Sequence, residues 1–174
     1  MRPFILALTG VLVTGSVTAS EVYDPNAAPR LENGIKQYLG DEKGNYVVPG
    51  WLLSRQVYES LQVPGNPKDA PVPTFSDVGS LKLLQGCRPH SCTEKAAVIY
   101  QDLKVVGAAI ISNKCAKTAG KTSCDATSTL TIFEHNPISL SDSNARRMLR
   151  AWGESKQSGI PTEIYALRAP KGKP

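Results

Sequence analysis

Histidine and aromatic side chains are scarce in this chain: the only histidines are His90 and His135, and Phe, Trp and Tyr together supply 6% of the residues. A structural zinc site asks for four closely spaced Cys or His ligands. Cys87 and Cys92, five positions apart with one histidine between them and no second ligand pair nearby, do not supply that set, so no metal is expected. The C-x-x-C thiol-exchange motif is also missing, as are a G-x-S-x-G elbow and an H-E-x-x-H helix. A cysteine nucleophile would need a free thiolate beside a base, and no carboxylate pair is singled out for glycoside cleavage. The expectation is a protein without a cofactor and without a catalytic centre of its own.

Long apolar runs are absent too, with one short exception. Arg2 precedes an apolar stretch over 4–13, and Val17-Thr18-Ala19 then offers small residues at the positions a signal peptidase reads. A membrane-spanning helix needs roughly 20 apolar residues, about twice this run. The pattern predicts a signal peptide over 1–19, cleaved after Ala19, and a single exported domain over 20–174 with no membrane attachment afterwards. Ser20 stands where a lipoprotein would carry its cysteine. Loss of Arg2 lowers the formal charge of +5 by one unit. That mild excess, with no basic stripe interleaved with aromatics, is not the footprint of a nucleic-acid binder. Export places the four cysteines in an oxidising space, where an even number reads as a disulfide framework.

Neither repeats nor low-complexity tracts organise the chain. A polar lead-in over 21–30 precedes Leu31, Ile35, Tyr38 and Leu39, which fall at helical spacing and predict a helix over 31–39 closed by Gly40. Pro49-Gly50-Trp51 reads as a turn feeding a buried aromatic, and the prolines over 62–73 mark irregular chain. Runs at 80–84, 95–100, 104–112, 127–133 and 162–167 carry the Val, Ile and Thr content of strands. The short Gln101-Asp102-Leu103 link makes the second and third of them an antiparallel hairpin. A capping-box-like start over 139–142 opens a helix running to Trp152, with Gly153 as its stop. The fold class is α+β: one mostly antiparallel sheet flanked by a few helices, with a protruding cysteine-closed loop.

That loop is the stretch GCRPHSC over 86–92, lying between two strands. A Cys87–Cys92 bond closes too small a ring to add much global stability, because the entropy removed from the unfolded chain grows with loop length. Its effect is local. Pro89 stiffens the tip by fixing φ near −65°, Gly86 lets the chain turn into the ring, and Arg88 and His90 are presented from a rigid knuckle. Preorganised loops lose less entropy on binding.

Cys87-Arg88-Pro89-His90-Ser91-Cys92 resembles the C-K/R-P-H-x-C loop of the inhibitor-of-vertebrate-lysozyme (Ivy) family, in which aspartate is usual before the second cysteine. Pro49-Gly50-Trp51 looks like that family's P-A-W segment, and the strand pair over 95–111, the late helix and the last strand extend the likeness to residues 30–168. The resemblance implies a periplasmic protein that plugs the active-site cleft of a C-type lysozyme. The inhibitory loop would comprise Cys87, Arg88, Pro89, His90, Ser91 and Cys92, with His90 hydrogen-bonded to the enzyme's catalytic carboxylates. Two carboxyl groups a few ångströms apart line such a cleft. An imidazole on a stiff tip can reach between them, and arginine adds positive potential and more donors than lysine.

Three points stand outside that pattern. Ser91 replaces the usual acid, and Cys115 and Cys124 bracket an insertion that reads as a second ring-stabilised loop. C-type lysozymes are themselves basic, so a basic inhibitor gains no long-range steering from net charge. The alternatives are a regulator of bacterial lytic transglycosylases, an immunity protein against a wall-degrading toxin, or a structural or glycan-binding domain whose loop is only a brace. A homodimer is compatible with the sequence.

Overall fold

The computed structural model describes residues 27–64, 81–135 and 144–168. The expected signal peptide over 1–19, most of the proline-rich stretch over 62–73 and the capping-box start over 139–142 lie outside them. In chain order the elements are α1 (Ala27–Leu39), β1 (Lys43–Gly44), β2 (Trp51–Leu52), α2 (Leu53–Glu59), β3 (Val63–Pro64), β4 (Lys82–Arg88), β5 (Ser91–Gln101), β6 (Lys104–Ser112), β7 (Cys115–Thr118), β8 (Lys121–Cys124), β9 (Thr129–His135), α3 (Asn144–Lys156) and β10 (Thr162–Leu167).

Alternation along the central strands determines the layers. A strand sends successive side chains to opposite faces. Ala96, Val98, Ala108, Ile110 and Phe133 therefore share one face, where they pack with Leu31, Ile35 and Leu39 of α1 and Leu53 and Val57 of α2. Ala97, Ile99, Ala109, Ile111, Leu130 and Ile132 share the other, against Ala145, Met148, Leu149 and Trp152 of α3. The apolar runs of β5 and β6 are continuous because both of their faces are covered. The six-stranded sheet has the order β10-β9-β6-β5-β4-β3. Its neighbours are antiparallel except β9 and β10, whose parallel pairing needs the crossover that contains α3. The fold is thus α+β with a mostly antiparallel sheet, and its β5–β6 hairpin turns through Asp102 and Leu103, both at positive φ.

Several local expectations are corrected. Helix α1 begins at Ala27, ahead of the predicted 31, and ends at Gly40 (φ 60°) as expected. Gly153 does not stop α3, which runs on to Lys156. A Cβ at Gly153 would lie 2.5 Å from Leu130 Cδ2, so this glycine serves close helix–sheet packing. The chain leaves the helix at Gly159 (φ 68°), whose N–H donates to Glu154 Oε2 over 2.9 Å. Trp51 is only half-buried, with the Arg55 guanidinium stacked 3.6 Å over its ring. The buried tryptophan is Trp152, whose Nε1 donates to Gln85 Oε1 over 3.0 Å and so ties α3 to β4.

Candidate functional site

The stretch Cys87–Cys92 forms the end of the β4–β5 hairpin. Arg88 pairs with Ser91, leaving Pro89 and His90 as a two-residue turn. Proline at the first central position and a positive φ at the second are the signature of a type II turn; His90 has φ 63°. The left-handed region costs an L-residue about 1–2 kcal/mol, although histidine enters it more readily than most. The hairpin ladder and the Cys87–Cys92 disulfide, with Cα atoms 4.9 Å apart, hold the turn in place. His90 is exposed at the apex and Arg88 half-buried beside it. Neither side chain has a hydrogen-bond or ion-pair partner among the described residues.

The turn is asymmetric. Cys87 pairs with Lys95 while Arg88 pairs with Ser91, so residues 92–94 bulge out of β5. Within the bulge Ser91 Oγ donates to Glu94 Oε2 over 2.5 Å and lies 2.8 Å from Thr93 Oγ1, which donates to the same carboxylate over 3.1 Å. Lys95 Nζ donates to the carbonyl of Cys92. The carboxylate that orders this bulge is thus Glu94, reached through the hydroxyls of Ser91 and Thr93. Sequence reading passed over Glu94; an acid so close to a serine, beyond a turn, was the available signal.

Gly86 does not bend the chain into the ring, contrary to the sequence expectation. It lies within β4, paired with Ala96 on one side and Pro64 on the other. A Cβ there would sit 2.7 Å from the Val63 carbonyl oxygen and 2.8 Å from Leu61 Cα. The glycine admits the 61–64 segment onto the sheet edge and braces the root of the hairpin.

The second ring leaves the same end of the sheet. Lys95 at the base of the first hairpin pairs with Ile111, and β6 ends one residue later. After Asn113 and Lys114 the chain forms the β7–β8 hairpin, closed by Cys115–Cys124 and turned through Ala119 and Gly120 at positive φ. At its root, Cys115 N–H donates to Asn45 O over 2.9 Å, and Lys114 Nζ to Glu163. Both expected disulfides are therefore formed, and no cysteine is free among the described residues.

His135 sits at the opposite end of the sheet, next to Leu167. Its Nε2 is 2.6 Å from Tyr38 O, and its ring meets Tyr38 edge-on at 4.9 Å. The two histidines therefore cannot share a ligand, and no cluster of three or more His, Cys, Asp or Glu side chains suited to a metal exists among the described residues. A cavity of about 610 Å³ lies at this far end, between α1, the 102–103 turn, β9 and α3. Several of the polar groups on its wall are engaged by the fold. Arg146 Nε donates to Glu134 Oε1 over 2.7 Å in a buried ion pair, and Tyr38 Oη donates to Phe133 O over 3.0 Å. Burial, reinforced by the Glu134 charge, pushes the Tyr38 hydroxyl well above its usual pKa.

No helix among the described residues is long and apolar enough to cross a membrane. Two disulfides fit an oxidising compartment. No protein family, curated protein or solved structure matches the chain.

Proposed function

We propose that this protein is a periplasmic inhibitor of a muramidase-type enzyme, of the Ivy kind, with C-type lysozyme as its target. The single observation carrying this reading is His90, held left-handed at an exposed apex between disulfide-linked strand ends. Unfavourable backbone conformations persist where the surroundings over-determine them, and they gather at ligand clamps and switch regions. A hairpin brace alone needs no histidine there, since glycine or asparagine meets the same φ more easily.

The chemistry fits a cleft with two carboxyl groups. His90 can donate and accept hydrogen bonds from opposite sides of its ring. Arg88 stands beside it without a carboxylate partner among the described residues. Because the Ser91–Thr93–Glu94 bonds already order the bulge, docking loses little loop entropy.

One observation favours a second target within this reading. The chain is basic overall, which suits a lytic transglycosylase of acidic surface better than a basic lysozyme. The deciding experiment is a turbidity assay of the mature protein, and of its His90→Ala variant, against C-type and G-type lysozymes and a lytic transglycosylase. Inhibition of at least one enzyme, lost in the variant, is the expected result. If the parent protects the wall from none of them, the structural or glycan-binding reading takes its place.

A further inference from the structure

The β7–β8 hairpin does not contribute to the core. Neither apolar cluster includes a residue of it, and every residue from Lys121 to Cys124 is exposed. Its ten residues, CAKTAGKTSC, contain no large apolar side chain. An isolated two-stranded hairpin is at best marginally stable in water. This one is held by the cross-strand Cys115–Cys124 bond, the Ala119–Gly120 turn and its root bonds to Asn45 and Glu163. Shape is thus maintained where nothing is buried. Among the described residues β7 pairs as a strand only with β8.

Charge in the two rings has one sign. Between Cys87 and Cys92 lies Arg88, and between Cys115 and Cys124 lie Lys117 and Lys121; neither interval contains an Asp or Glu. Glu94, the acid nearest the first ring, is engaged by Ser91 and Thr93. The rings rise from the same end of adjacent strands, with Lys95 and Ile111 paired between their roots.

We propose that the Cys115–Cys124 hairpin is a second arm of the binding face that carries His90, and that it meets an anionic surface beside the cleft of the target enzyme. This rests on the cleft-plugging reading but departs from its C-type lysozyme target, selecting the second target given there, a lytic transglycosylase of acidic surface. His90 supplies the short-range contact that sets how long the complex lasts, whereas the positive charge of the hairpin, which includes the exposed Lys121, acts at longer range, on the rate of encounter.

The test measures association and dissociation rates of the full mature chain with an acidic lytic transglycosylase and with a basic C-type lysozyme. The proteins compared are the parent, Lys117→Glu/Lys121→Glu, Lys117→Arg/Lys121→Arg, Cys115→Ser/Cys124→Ser and His90→Ala. The Glu pair should slow association with the acidic enzyme about 10-fold at low salt, the lower end of electrostatic steering effects. That difference should vanish near ~1 M salt, where the screening length falls to about 3 Å. The Arg pair should match the parent, and His90→Ala should raise the dissociation rate instead. Opening the ring with the Ser pair should slow association less than charge reversal does, at an unchanged thermal midpoint, and this keeps the test valid if the Glu pair folds poorly. If charge reversal leaves association within twofold of the parent while His90→Ala still abolishes binding, the hairpin is outside the face and only the inference falls. Equal loss of binding to isolated peptidoglycan, with enzyme association unchanged, would show that the hairpin reads the anionic polymer, which also overturns it. A parent that binds neither enzyme removes the cleft-plugging reading and the inference together.

Discussion

Ser91 donates its hydroxyl proton to the Glu94 carboxylate over 2.5 Å, so the acid that steadies the disulfide-closed turn comes from the strand after it and not from the turn itself. The negative charge stays on Glu94, where hydrogen bonds from Ser91 and Thr93 hold it. His90 is left as the exposed group at the tip, with the cation of Arg88 behind it.

Truncations in this ring should rank in a definite order. His90→Ala should weaken inhibition by about 2–4 kcal/mol, as a central hot spot does, which is roughly 30- to 1000-fold. Arg88→Ala should cost roughly 1 kcal/mol, in the manner of a water-screened ion pair. Glu94→Ala touches no partner directly and should cost about 0.5–1.5 kcal/mol through lost preorganisation. Inhibition constants and thermal midpoints of the three variants decide this. A His90→Ala protein that folds normally and inhibits as well as the parent makes the turn a brace.

Gln56 should be among the residues most sensitive to substitution although it is polar. It is fully buried, and its Oε1 accepts N–H bonds from Tyr46, Val47 and Val48 at 3.0, 2.8 and 3.3 Å. Its Nε2 donates to the carbonyls of Gly44 and Trp51 at 2.9 and 2.8 Å. Gln56→Ala strands these backbone groups, at a cost of roughly 3 kcal/mol, or a fall of roughly 6–12 °C in the thermal midpoint. Arg55→Ala, which loses the stack on Trp51 and an exposed ion pair with Glu59 at 3.9 Å, should cost about 1 kcal/mol. Similar midpoints for the two variants would mean that the 44–51 loop does not depend on its glutamine.

Two glycines should respond differently to alanine. At Gly86 the new methyl group meets backbone, the Val63 carbonyl and Leu61 Cα, which cannot rotate away, and overpacking of this kind costs about 1–3 kcal/mol. At Gly153 it meets the end of the Leu130 side chain, and alanine returns about 1 kcal/mol of helix propensity. Chemical denaturation should therefore show Gly86→Ala to be the less stable protein. The opposite ranking would mean that the 61–64 segment does not hold its place against β4.

Alkaline pH should destabilise the fold through its tyrosines. Tyr38 is raised above its ordinary pKa by burial and then by the Glu134 charge. Tyr46 is raised by burial and then by Glu163 and Tyr165, with a smaller opposing effect from Thr131. Both stay protonated in the folded chain when the unfolded chain has begun to ionise near pH 10. Their contribution is fully present below that pH, and above it stability falls by up to about 1.4 kcal/mol per pH unit for each group. Absorbance near 295 nm should show at least two of the six tyrosines ionising only as the protein unfolds. Smooth titration of all six in folded protein is the contrary result.

What the sequence by itself determined was local. Strand β10 and strand β6 have the predicted bounds, and the 102–103 link turns the β5–β6 hairpin, because branched apolar runs and short connections constrain neighbouring residues directly. The two ring closures were likewise legible in cysteine spacing. Tertiary structure decided what depended on partners distant in the chain. Gly86 and Gly153 have the composition of a bend and a helix stop, yet each is set by what packs on it, the 61–64 backbone and Leu130. Burial of one tryptophan rather than the other followed from Gln85 on β4 accepting from Trp152, 67 residues away. The two histidines are equivalent in composition, but one stands at an exposed apex and the other against Tyr38 at the far end of the sheet. Only the pairing of strands, which converts register into position, separates them.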